Sequence, residues 1–153
     1  MRPRVDLLKE IDKDLPAVVQ ALLHRHPVNA GDWEVTLVQA RTMGTIAAAG
    51  ECTMGQLARQ LGISLSAASG LVDRLVQSGL LERQVCTHDR RQVMVRLAAA
   101  GQAVKRTLDR KRRRELSTAL GGLETAELAQ VAAGLALLRR AVEGEGGKSA
   151  PGT

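Results

Sequence analysis

Apolar residues recur in steps of three and four near the start of the chain, at Leu8, Ile11, Leu15, Val18 and Leu22. Val19 and Leu23 widen the stripe. This spacing predicts one face of an amphipathic helix over Val5–Leu23. Pro16 falls inside the pattern and predicts a kink or restart, and His24 to Pro27 close the helix. Asn29 to Asp32 read as a loop. A second helix is expected from about Glu34 to Ala49, stopped by Gly50 as a C-terminal cap.

Two short helices follow in close succession. Thr53 is placed to cap a helix through Leu57 and Leu61, and Gly62 supplies the left-handed residue that ends it. Ser64 is the N-cap of a helix from Leu65 to Gln77. Its predicted buried face is Ala68, Leu71, Val72 and Leu75, which turns Ser66, Ala67, Ser69, Gly70, Asp73, Arg74 and Gln77 outward. Two helices joined by a tight glycine-containing turn make a helix-turn-helix.

Beyond Ser78 and Gly79 the period changes. Val93, Val95 and Leu97 alternate with Gln92, Met94 and Arg96, so Leu80–Val85 and Gln92–Leu97 read as strands. The polar connection Cys86–Arg91 makes them a hairpin with a basic tip, a wing. A long helix is expected from about Ala98 to Leu120, broken by Gly121 and Gly122. A last helix carries Leu128, Val131, Leu135, Leu138 and Val142, again in three–four spacing. The predicted class is mainly α with a small β-hairpin wing. It divides into an N-terminal helix and loop (1–33), a winged helix-turn-helix (34–100), a long helix with a C-terminal helix (101–143), and a disordered tail (144–153).

Composition narrows the functions. The 153 residues are 44% apolar and 25% charged, but only 1% aromatic, with Trp33 alone and neither Tyr nor Phe. That argues against stacking platforms for RNA or single strands. No run approaches the roughly 18–20 apolar residues of a membrane span. The charged segment from Met1 to Glu10 lacks a signal-peptide pattern, so a soluble, cytoplasmic chain is expected. Cys52 and Cys86 form neither a disulfide framework nor a zinc quartet, and His24 and His26 lack further ligands nearby. No metal or other cofactor is predicted.

Charge is unevenly placed. Residues 1–52 carry a net −1, residues 53–114 a net +9, and residues 115–153 a net −2. A basic block between neutral segments is the footprint of a nucleic-acid surface. Charge alone does not separate that reading from a solubilising face.

Position does. The second helix of a helix-turn-helix enters the major groove with its N-terminal residues at base edges. Small outward residues, Ser66, Ala67, Ser69 and Gly70, let its backbone come close, and serine hydroxyls bond base edges or phosphate. Arg90 and Arg91 at the hairpin tip suit the narrow, electronegative minor groove. Asp89 is expected to hold the Arg91 guanidinium by a charge-assisted hydrogen bond. The cluster from Lys105 to Arg114 is spread around its helix and is open to phosphates, a partner's acidic residues, or solvent. The terminal stripes, Leu8, Ile11, Leu15 and Val18 with Leu128, Val131, Leu135 and Leu138, either close a monomeric core or pair with a second copy. A two-fold dimer would set two recognition helices about 34 Å apart, one duplex turn.

These segments together resemble the MarR family of bacterial winged-helix regulators. The likeness is carried by Met54-Gly-Gln-Leu-Ala-Arg-Gln-Leu-Gly-Ile-Ser64, Leu71-Val-Asp-Arg-Leu75, Gly79-Leu-Leu-Glu-Arg83, His88-Asp-Arg-Arg91 and Val95-Arg-Leu97, ending at Gly101. It is strong over Val35–Val104 and rests on layout alone in the flanking helices. The resemblance implies a homodimer on a palindromic operator, usually a repressor. Release would follow when a small phenolic or lipophilic acid enters between the dimer helices and the winged domain. By position it implies Ser66, Ala67, Ser69 and Gly70 at the major groove, Arg74 at or near phosphate, and Arg91, held by Asp89, in the minor groove; with Ser64 and Arg90 these make the expected DNA-binding set.

The chain departs from the pattern in places. Ala98 stands where the family often has a capping threonine, and Gly70 where many relatives carry a basic or polar residue. The peroxide-sensing branch uses an N-terminal cysteine with tyrosines. Here Cys52 and Cys86 lie elsewhere, leaving a thiol switch at an exposed Cys86 or an inert cysteine. An effector pocket would be aliphatic, with His24, Trp33 and Arg41 as polar handles.

The predicted function is therefore a dimeric, sequence-specific regulator of double-stranded DNA. The alternative is a winged-helix protein-interaction module whose basic face is incidental. Nothing in the sequence marks an enzyme: there is no phosphate loop and no paired-carboxylate motif.

Overall fold

In the computed structural model, which describes residues 1–23, 28–31 and 33–146, six helices and five short strands follow one another. They are α1 (Arg4–Leu23), β1 (Val28–Ala30), β2 (Trp33–Val35), α2 (Leu37–Ala49), β3 (Glu51–Thr53), α3 (Met54–Leu61), α4 (Leu65–Gln77), β4 (Leu81–Val85), β5 (Val93–Leu97), α5 (Ala99–Ala119) and α6 (Thr125–Gly146). The chain forms two compact units, residues 1–110 and residues 111–153.

The core of the first unit is aliphatic. Met43 and Ile46 from α2, Leu57 from α3, Val72 and Leu75 from α4, and Cys52, Leu81 and Val95 from the strands are all buried in one cluster. Burying a side chain such as Leu57 contributes about 1.5–3 kcal/mol, so this cluster is what fixes the helices on the sheet. The sheet is antiparallel with order β3-β5-β4. Its central strand β5 sets Val95 opposite Cys52 on one side and opposite Arg83 on the other.

The helix-turn-helix forms where its local chemistry demands. Thr53 caps α3 through a reciprocal box with Gln56, satisfying two otherwise orphan donors. Gly62 ends α3 in the left-handed region (φ 68°), and its N–H donates back to the Ala58 and Arg59 carbonyls. Ser64 then caps α4, its hydroxyl accepting the Ala67 N–H. Three residues thus turn one helix into the next.

Several expectations change. α1 runs unbroken through Pro16, with no restart; a proline removes one N–H donor and its neighbours carry the rest of the ladder. The segment read as a loop is instead a small hairpin: β1 pairs with β2 around Gly31 (φ 67°), and Val35, the last residue of β2, is buried. Consequently α2 begins at Leu37 rather than Glu34, capped by a Thr36–Gln39 box. The expected β4–β5 hairpin forms, and Glu51–Thr53 adds a third strand to its sheet by pairing along β5. Strands of three residues are too short to show a period. Leu71 is half-buried, at the margin of the face centred on Ala68, Val72 and Leu75.

In the second unit, the end of α5 turns at Gly121 and Gly122 into α6. The Glu124 N–H donates to the Glu127 carboxylate (2.8 Å) at the start of that helix. α6 continues past Gly144 to Gly146. The rest of the predicted tail lies outside the described residues, as do the His24–Pro27 stop and Asp32.

Candidate nucleic-acid interface

The first turn of α4 stands clear of the core on every side. Ser64, Leu65, Ser66 and Ala67 make one full turn, and all four are exposed. Burial begins at Ala68, which is fully buried like Val72 and Leu75. Ser69 and Gly70 are half-buried at the margin, and Arg74 is exposed further along. The core therefore grips the rest of the helix and leaves a projecting tip in which Ser64, Ser66 and Ala67 are small and Leu65 is not.

Leu65 belongs to that tip, and sequence reasoning left it without a role. It is 59% exposed, although it lies two turns from fully buried Val72 on the same stripe. The available signal was its place, next to a capping serine and ahead of the Ala68–Leu75 stripe.

The wing is built by cross-strand pairing from Leu81 opposite Leu97 out to Val85 opposite Val93. Beyond it the Cys86 N–H donates to the Gln92 carbonyl (3.0 Å) and the Gln92 N–H to the Asp89 carbonyl (2.9 Å). The Asp89 carboxylate accepts the backbone N–H of Arg91 (3.0 Å). This differs from the expected hold on the guanidinium. An aspartate two residues ahead of an N–H closes an Asx-type turn locally, so Asp89 shapes the tip and leaves the Arg91 side chain free to reach outward.

Ion pairs sort the cations. Asp73 on α4 pairs with Arg83 at the root of the wing, and Glu82 pairs across the sheet with Arg96. Arg74, Arg90 and Arg91 are exposed and make no ion pair with a described residue. Within α4 and the wing, the uncompensated charge is thus on Arg74 and at the tip, not at the wing root. Part of the Lys105–Arg114 cluster is engaged within α5, where Lys105 Nζ donates to Asp109 (2.6 Å) and Arg110 to Thr107 (3.2 Å).

The remaining predicted residues are placed separately. Leu8, Ile11, Leu15 and Val18 are exposed on α1, as are Leu128, Val131, Leu135 and Leu138 on α6. Trp33 packs half-buried against the core and Arg41 is exposed on α2, while His24 lies outside the described residues. A shallow groove lined by Ala47, Gly50, Arg96, Leu97 and Gln102 involves none of those three. Cys52 is buried, which pushes its thiol above the ordinary range. Cys86 is half-buried rather than exposed.

A projecting helix tip beside a hairpin on one aliphatic core defines a winged helix-turn-helix protein. The comparisons with known proteins agree. The MarR family model matches residues 33–92. The uncharacterized HTH-type transcriptional regulator YfiV of Bacillus subtilis is 32% identical over 110 residues, 72% of this chain and 69% of that protein. The chain belongs to the MarR family and is a transcriptional regulator, not an enzyme.

Solved structures share the fold. RV1404 from Mycobacterium tuberculosis is similar at a TM-score of 0.76 and 25% identity, over 94% of this chain and 97% of that one. Streptococcus pneumoniae FabT, in complex with DNA, is similar at 0.76 and 22% identity, over 89% and 97%. A mutant MarR from E. coli complexed with operator DNA gives 0.65 at 22% identity, over 90% and 99%. Among the described residues no helix is long and apolar enough to cross a membrane.

Proposed function

We propose that this regulator works in the cytoplasm as a homodimer that binds a palindromic operator in double-stranded DNA and represses a gene beside it. The observation that carries the reading is the exposed first turn of α4, small in side chain except at Leu65, next to a wing whose tip arginines have no ion-pair partner among the described residues. In this reading Ser64, Ser66, Ala67, Ser69 and Gly70 meet the major groove, Arg74 meets phosphate, and Arg91 enters the minor groove. Asp89 shapes the turn that presents Arg90 and Arg91. Two helix tips must lie about 34 Å apart to enter successive major grooves on one side of a duplex, which a two-fold dimer supplies.

The apolar positions of α1 and α6 form the dimer contact. Eight large aliphatic side chains left in water are unfavourable by about 25 cal/mol per Å2 of apolar surface, and a second copy removes that exposure. A small phenolic or lipophilic acid, held near His24, Trp33 and Arg41, releases the DNA by altering the spacing of the tips.

The test is selection of random duplex DNA by the purified full-length chain, followed by sequencing. A palindrome with half-sites one turn apart is the expected result. No enrichment at low salt from an intact dimer would overturn the reading in favour of a protein-contact module.

A further inference from the structure

From the exposed first turn of α4 we infer that Leu65 is a specificity-determining residue, reading the 5-methyl group of a thymine in each half-site; this rests on the operator reading above. Along α4 every other large aliphatic residue is buried or half-buried: Val72 and Leu75 lie in the core, Val76 packs against it, and Leu71 is half-buried. Leu65 alone is turned to water, at 59% exposure. It stands between Ser64, whose hydroxyl is already committed to the Ala67 N–H (3.1 Å), and exposed Ser66.

The chemistry of the groove narrows what an aliphatic side chain can find there. Donors and acceptors line the major-groove edges of all four bases, and thymine adds the apolar C5-methyl. A leucine directed at any other edge strips water from a polar atom without replacing the hydrogen bond, which is unfavourable. Leu65 therefore discriminates twice, by gaining contact with thymine and by losing affinity at cytosine, adenine or guanine. The serines around it bond several edges and discriminate poorly. An apolar reader at the tip gives the helix a preference they lack.

The experiment substitutes deoxyuridine for thymidine, one half-site position at a time, in the duplex enriched by selection, and titrates wild type and Leu65→Ala. Deoxyuridine differs from thymidine only by lacking the methyl group. At one position per half-site, deoxyuridine should weaken wild type about fourfold, the value of one buried methyl-sized group, and leave Leu65→Ala unaffected. Equal binding of wild type to every uridine duplex overturns the inference. So does the same loss in Leu65→Ala, or an enriched half-site without thymine. Leu65 is exposed, so its truncation leaves the fold intact, which thermal unfolding verifies. Failure of the operator reading is told apart by its earlier step, since no duplex would then be enriched at all.

Discussion

The carbonyl of Leu80 occupies the space where a side chain on Gly101 would begin: a Cβ added there falls 1.9 Å from the Leu80 oxygen. The same oxygen accepts the Ala98 N–H at 3.0 Å, while the Leu80 N–H donates to the Leu75 carbonyl at 2.9 Å. One residue thus joins the last turn of α4 to the start of α5, and only a hydrogen at residue 101 allows the approach. Ala98 carries no capping hydroxyl, yet its N–H is satisfied by this contact.

Gly101→Ala should accordingly destabilise the protein by about 1–3 kcal/mol, toward the upper end because the clash is with backbone. Gly55→Ala is the control. Gly55 lies in α3 with open space around it, and the change should stabilise by about 0.5–1 kcal/mol. Urea midpoints of the two variants should move in opposite directions. A Gly101→Ala midpoint equal to wild type would refute the close approach.

At the wing tip, Arg91→Ala should weaken operator binding about tenfold and lower the slope of log affinity against log salt by about one. Its melting temperature should not change, because the side chain is exposed and the turn is held by the Arg91 backbone N–H. Titrations at two salt concentrations decide it; an unaltered slope removes the wing from the interface.

Asp73 and Arg83 are half-exposed, at 50% and 39%, so their pairing adds less than about 1 kcal/mol to stability. Its larger effect is on charge. Asp73→Asn should release the Arg83 guanidinium, tighten DNA binding and steepen the salt dependence, with the urea midpoint nearly constant. Weaker binding would show instead that the pair is needed to orient α4.

Leu135 is 60% exposed on α6. If it meets a second copy, Leu135→Asp buries a carboxylate at the contact and should convert the dimer to a monomer of 16.3 kDa in light scattering. A persisting dimer would exclude that face.

The two thiols should separate by accessibility. Near pH 8, a thiol reagent should modify half-buried Cys86 in the native protein and reach buried Cys52 only after unfolding. Burial raises the Cys52 pKa, so the folded state retains a proton that the unfolded chain loses first. The stability Cys52 contributes is complete below about pH 8.5, where a free thiol begins to ionise, and falls as pH rises beyond it. Cys52→Ala should reduce that alkaline loss. Rapid native labelling of Cys52 would contradict its burial.

What the sequence determines by itself is the local logic of the helix-turn-helix. The boxes and caps at Thr53, Gln56, Gly62 and Ser64 act over three or four residues, so residue order alone locates α3 and α4. The three–four spacing of Ala68, Val72 and Leu75 likewise names the face that packs. The outward serines and the arginines of the wing follow from the same arithmetic. Tertiary structure decided the features that depend on neighbours distant in sequence. Glu51–Thr53 becomes a strand only because β5 lies beside it, and Trp33–Val35 because Val28–Ala30 folds back on it. Whether an outward residue is committed was also undecidable locally: Asp73 meets Arg83 ten positions away, and Leu65 is left in water because the core ends one turn short of it. Capping and periodicity are properties of one segment, whereas register, close approach and exposure arise only when segments meet.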